Sequence, residues 1–190
     1  MLLRSRVVLP VVAPPVEDGA ILSVAVAGGD PPFGYWTAML PERRPHSALL
    51  LGLGAGTLAH LLTRRFSDVR IVGVDIDACL VAFARRHFDL ALPNLEVVIG
   101  DAFAFVAGCR EHFEYVAVDL FRGHEFQRGA LARPFLRQLR SIAGPDGEIA
   151  VNFFKDRRSE VHVNRLARIL TVQRVQRLPR NVVVHCRTGT

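Results

Sequence analysis

Apolar runs of strand length alternate along most of this chain with stretches whose apolar residues return every three or four positions. HSALLLGLG, residues 46–54, is an apolar run ending in glycines, the pattern of a buried parallel strand. AGTLAHLLTRRF follows with helical spacing through Leu58, Leu61, Leu62 and Phe66. VRIVGVDID predicts a second strand and ACLVAFARRHFDLAL a second helix, closed by Pro93. LEVVIGD is a third strand with the short helix AFAFVAGC behind it, and FEYVAVDLF is a fourth. GALARPFLRQLRSIAG is helical, with Pro134 in its first turn or two, where a missing N–H costs nothing. GEIAVNFF is a fifth strand and RSEVHVNRLARIL a further helix. VQRVQRL and VVVHCR, separated by the break PRN, read as two strands folding back on each other. Strands and helices alternating at this rate predict an α/β fold with a doubly wound, mainly parallel sheet, closed at its C-terminal end by an antiparallel strand pair.

The first forty-odd residues depart from the alternation. RVVLPVVAP and AILSVAVAG flank VEDG, and Asp-Gly between apolar runs is a hairpin signal. A short N-terminal β-hairpin and connecting segment is expected over residues 1–40, with a short helix near YWTAML, and the α/β domain over 41–190.

Composition narrows the class. Half of the 190 residues are hydrophobic, enough for a sizeable core. Apolar runs break before reaching the roughly 18 residues of a membrane span. The N-terminal stretch carries an arginine but no long apolar core and no cleavage site, so it reads as structure; the expected location is cytoplasmic, with no membrane partner. Cys79, Cys109 and Cys186 are single and far apart, which supports neither a disulfide framework nor a metal site. Cys79 and Cys109 are expected to pack as small hydrophobes. The formal net charge is +6, and Lys155 is the single lysine. The positive charge is therefore arginine, scattered along the chain and densest in KDRRSEVHVNRLARILTVQRVQRLPR, a pattern closer to a solvated surface than to an RNA-binding face.

The chemistry concentrates at strand ends. In LLLGLGAGTLAHLL a strand runs into Gly52, Gly54 and Gly56 and then straight into a helix, so a ligand can approach the backbone closely. The spacing is GxGxG, with Thr57 where the dinucleotide fingerprint wants its last glycine. Asp75 ends the second strand, roughly twenty residues on, where a carboxylate can accept from both ribose hydroxyls. Asp77 is placed to cap the next helix. Asp101, in Gly100-Asp101-Ala102 after the third strand, can take an amino proton from adenine. Packing glycines and helix-capping aspartates explain each piece singly. Together, at three consecutive strand ends on one rim, they point to an adenosine-type ligand. No lysine follows the glycines, which disfavours a nucleoside triphosphate.

In order and spacing, ALLLGLGAGTLAHLL, VDID, VVIGDAFAFV and FEYVAVDLF resemble the core of spermidine synthases, over about residues 35–155, and these belong to the S-adenosylmethionine-dependent methyltransferase superfamily. The resemblance implies a Rossmann-like methyltransferase sheet that binds S-adenosylmethionine or its decarboxylated form. It carries cofactor binding over to Gly52, Gly54, Gly56, Asp75 with its neighbour Ile76, Asp101 and Ala102. It makes Asp119, after the fourth strand, the catalytic residue beside the amine to be alkylated. Tyr35 and Trp36 fall in a segment that closes over the cofactor, and His124 and Glu125 share the loop after Asp119, as candidate substrate contacts. No metal is implied. Relatives often dimerise through the N-terminal β region, so a homodimer is among the expectations.

The departures bear on the acceptor. Aminopropyltransferases carry an aspartate inside the glycine loop, as in GGGDGG, and this chain has Ala55. They follow the fourth strand with a segment like DSSDP, which supplies a second acid for the polyamine; here it is DLFRGHEF, with Arg122. A small-molecule acceptor other than a polyamine is the better expectation. An RNA methyltransferase, favoured if arginines and aromatics converge beside the pocket mouth, and a non-catalytic nucleoside-binding member are the alternatives.

Asp30-Pro31-Pro32-Phe33 has the form with which many amino-group methyltransferases grip a target nitrogen, but there it follows the fourth strand. That position is filled by YVAVDLF, and too few residues separate Phe33 from His46 for a permuted order, so the motif reads as a proline-fixed turn.

Overall fold

β1, Ser47–Leu51, alternates its side chains between two apolar layers: Leu49 and Leu51 face one, Ala48 and Leu50 the other. A strand buried on both faces needs helices on both faces, and the rest of the chain supplies them. The computed structural model describes residues 34–123 and 125–189; the expected hairpin, Asp30–Phe33 and His124 lie outside them. α1 (Thr57–Arg65), β2 (Arg70–Asp75), α2 (Ala78–His87), β3 (Leu95–Ile99), α3 (Ala102–Gly108) and β4 (Tyr115–Val118) continue the alternation. Two short strands, β5 (Phe121–Arg122) and β6 (Glu125–Phe126), pair antiparallel as a separate ribbon. α4 (Arg133–Ile142), β7 (Glu148–Phe154), α5 (Ser159–Ala167), β8 (Thr171–Arg177) and β9 (Asn181–Arg187) complete the fold.

The main sheet has the order β3-β2-β1-β4-β7-β9-β8. Its first five strands are parallel, while β9 runs antiparallel to both β7 and β8. Leu58, Leu61 and Leu62 of α1 and Val81 and Ala84 of α2 cover one face. Val106 of α3, Phe135, Leu136 and Leu139 of α4, and Leu166 of α5 cover the other. The chain leaves β1 toward β2 and β3, then returns to lay β4 on the other side of β1. That reversal opens a crevice at the carboxyl ends of β1 and β4, where open α/β sheets hold ligands.

Two expectations need correction. α2 stops at His87 rather than running to Leu92, because Asp89 takes a left-handed conformation (φ 52°) that turns Leu90 back under the helix. Cys79 is exposed, and only Cys186 is fully buried. YWTAML contributes one 3-10 turn, Thr37–Met39. Among the described residues no helix is long and apolar enough to cross a membrane.

Candidate functional site

The glycine loop is shaped by what passes beside it. Gly52 has φ 87°, its N–H donates to the Val74 carbonyl (2.9 Å), and a Cβ there would collide with the Asp119 carbonyl. The Asp119 N–H in turn donates to the Leu51 carbonyl at 2.8 Å, so the glycine holds the ends of β1 and β4 together at the switch point. Gly56 (φ 88°) precedes α1 and lies under Leu90, whose side chain occupies the space of a Cβ. It does not line the cavity, and its glycine is explained by packing.

The carboxylates at the next two strand ends are half committed to the backbone. Asp75 Oδ2 accepts from the Gly54 N–H (2.7 Å) and Oδ1 from the Asp77 N–H (2.9 Å). Each carboxylate oxygen has a second lone pair, so both can still accept from a ligand. Asp101 Oδ1 caps α3 through the Ala104 N–H (2.9 Å), as Asp77 caps α2 through Leu80, leaving Oδ2 of Asp101 free. The helix-capping reading of Asp101 is therefore real and compatible with ligand binding.

Asp119 sits differently. Its Oδ2 accepts from the Tyr35 hydroxyl at 2.7 Å and its Oδ1 from the Asn152 amide at 2.8 Å. Asn152, on β7, is itself held by the Asn181 amide at 3.0 Å. Burial pushes the Asp119 carboxyl up to about 6; the two donors pull against that rise and the nearby Asp75 adds to it. Burial and the Asp119 charge hold the Tyr35 phenol well above its ordinary value, so it stays a donor.

Apart from Gly56 and Asn152, the site residues described above line one cavity of about 680 Å³. Gly52, Gly54, Asp75, Ile76, Asp101 and Ala102 form one end, with Tyr35, Trp36 and Asp119 midway. Beyond Asp119 the wall comes from Phe121 and Arg122 of the ribbon, Phe154 of β7 and the β8–β9 turn at Leu178–Asn181. Its size lies within the about 300–1,000 Å³ common for small-molecule sites. Glu125 is exposed and does not line it. Sequence reading missed Asn152, Asn181, Phe154 and the β8–β9 turn. A lone amide in the apolar run IAVNFF was the available signal, because a buried polar side chain needs a partner. Among the described residues, no group of three or more His, Cys, Asp or Glu could hold a metal ion.

A family model described as a methyltransferase domain matches residues 48–147, and the chain belongs to that family. It is also spermidine synthase-like. It is 28% identical over 144 residues to a polyamine aminopropyltransferase of Neisseria meningitidis, an alignment covering 74% of this chain and 54% of that one. The chain thus spans about half the length of that relative. Two solved structures share the fold. Human Methyltransferase-like protein 13 in complex with SAH superimposes with a TM-score of 0.64 at 21% identity, over 75% of this chain and 71% of that one. Spermidine synthase from Thermotoga maritima gives 0.66 at 13% identity, over 82% and 60%.

Proposed function

We propose that this chain binds S-adenosylmethionine and transfers its methyl group to a small-molecule acceptor beside Asp119. One observation carries the reading: a carboxylate whose pKa is raised to about 6 shares a cavity with the glycine loop and Asp75 at the switch point of a methyltransferase sheet. Family membership and the SAH complex of human Methyltransferase-like protein 13 support it.

The residues fit such a cofactor. Gly100 presents bare backbone to the cavity, with open space where a Cβ would stand, suited to a flat base. Asp75 would receive the ribose hydroxyls, Asp101 and Ala102 the adenine, and Gly52, Gly54 and Ile76 the sugar and tail. Ala55 is buried and apolar where an aminopropyltransferase has its aspartate, which favours methyl over aminopropyl transfer.

When bound, the cofactor supplies a sulfonium methyl whose leaving group is already activated. What remains for the protein is positioning, exclusion of water and a place for the acceptor's proton. Tyr35 and Asn152 fix both oxygens of Asp119, and a carboxylate near pH 6 is ionised and basic at neutral pH. Trp36 packs on Tyr35, with ring centroids 4.8 Å apart, and lines the same cavity.

Calorimetric titration with S-adenosylmethionine, its decarboxylated form and NAD tests this. S-adenosylmethionine should bind, and Asp75→Ala should weaken it at least about tenfold through loss of charge-assisted hydrogen bonds. Preference for the decarboxylated form would restore aminopropyl transfer. NAD binding alone would overturn the site, and no binding of any would make the chain a non-catalytic member.

A further inference from the structure

The two ends of the cavity differ in charge. Asp75, Asp77 and Asp101 line the end proposed for the cofactor, whereas Arg122 and Arg180 line the end beyond Asp119. Both arginines are exposed, and neither forms an ion pair among the described residues. Arg122 pairs with Glu125 across the ribbon, but their side chains form no ion pair. The same half has apolar surface: Phe121 meets Phe154 edge-on at 4.8 Å, and Leu178 and Pro179 also line it. Asp119 is the one acid lining this half among the described residues, and both its oxygens already accept from the protein.

A polyamine would bring two or more ammonium groups against two guanidinium groups that form no ion pair among the described residues. A carboxylate would find in them a planar donor fork, and an apolar ring would find the phenylalanine edges. From this, and resting on the transferase reading above, we infer that the acceptor is a small amphiphilic anion: an apolar or aromatic skeleton whose carboxylate is held by Arg122 and Arg180 while its amine or hydroxyl faces Asp119. In the transfer, the acceptor's nitrogen or oxygen bonds to the methyl carbon. The carbon–sulfur electron pair returns to sulfur, which becomes a neutral thioether, and the acceptor's proton passes to Asp119.

Arginines beside aromatics at the mouth are also what an RNA methyltransferase would show. An RNA strand, however, needs a succession of phosphate contacts and open ring faces. Here two arginines stand within one cavity whose other lining charges are acidic, and the Phe121 and Phe154 rings are packed edge-on and partly buried.

The full chain, saturated with S-adenosylhomocysteine, would be titrated with 2-aminobenzoate, 4-aminobenzoate, aniline and putrescine. The aminobenzoates should bind at least about tenfold tighter than aniline, the scale of one charge-assisted contact, and putrescine weakest. The double substitution Arg122→Ala, Arg180→Ala should erase that preference and leave S-adenosylhomocysteine affinity unchanged. Tighter putrescine binding, no preference for the carboxylates, or a preference that survives the substitutions would overturn the inference. So would a fall in S-adenosylhomocysteine affinity, which would assign the arginines to the cofactor's own carboxylate. Displacement of the aminobenzoates by a short single-stranded RNA would also overturn it. Failure to bind S-adenosylhomocysteine in the first titration defeats the transferase reading instead, so the two failures are separable.

Discussion

Asp119 and Tyr35 lie 84 residues apart yet form one proton-holding unit. The proposed proton acceptor must be ionised, so transfer should rise with pH through about 6 and level off above it. The Tyr35 hydroxyl favours the ionised carboxylate, so Tyr35→Phe should move that limb to higher pH, read as a pH–rate profile of methyl transfer. Asp119→Asn should lower the rate about 10²–10⁴-fold while cofactor binding persists in calorimetry. Stability has the opposite sign. The folded-state pKa lies above the ordinary 3.8, so the folded chain binds the proton more tightly, and Asp119 costs stability as pH rises from about 4 to about 6. Asp119→Asn should flatten that loss in thermal melts across this window.

At the scale of elements, the starts of α2 and α3 each do two jobs: Asp77 and Asp101 cap a helix and line the cavity. Asp101 caps α3 with Oδ1 and lines the cavity, and a substitution can separate the roles. Asp101→Ser keeps a capping oxygen without the carboxylate and should leave the melting temperature nearly unchanged while weakening S-adenosylmethionine binding. Asp101→Ala should also cost about 1 kcal/mol of stability. The helices and long strands were legible because their periodicities run over many residues. The β5–β6 ribbon was not, since two residues per strand carry no period. It nevertheless places Phe121 and Arg122 in the cavity wall, at the end proposed for the acceptor.

At the scale of the whole molecule, a buried polar bridge ties the segment that carries Tyr35 to the far half of the sheet. His185 of β9 reaches Glu148 Oε1 through Nδ1 (2.6 Å) and the Ala38 carbonyl through Nε2 (2.7 Å). Glu148 Oε2 accepts from the Glu42 N–H at 3.2 Å, and the Tyr115 hydroxyl donates to the Met39 carbonyl. His185 is 1% exposed and Glu148 8%, so removing one partner strands the other. Glu148→Ala should cost about 3–5 kcal/mol in denaturant unfolding. In the folded fraction, the freed Tyr35 segment should shift the Asp119 pH limb upward, as Tyr35→Phe does, a change that a purely global destabilisation would not produce.

The amino-acid sequence by itself determined the strand–helix alternation, the antiparallel closing pair, the glycine loop and the acids at the ends of β2 and β3. Those features are local: a period, a turn residue, or a carboxylate a few positions from the strand that aims it. Only the tertiary structure decided that Gly56 belongs to packing under Leu90, that Glu125 lies outside the cavity, that Asn152 holds Asp119 without lining it, and that Asn181 and the β8–β9 turn belong to its wall. The sheet order lays β4 beside β1 and β7 beside β4, and the rim that results gathers side chains from segments 29 to 84 residues apart. Strand pairing is a long-range choice with no period of its own, so the composition of that rim is written in the packing rather than in any one stretch of chain.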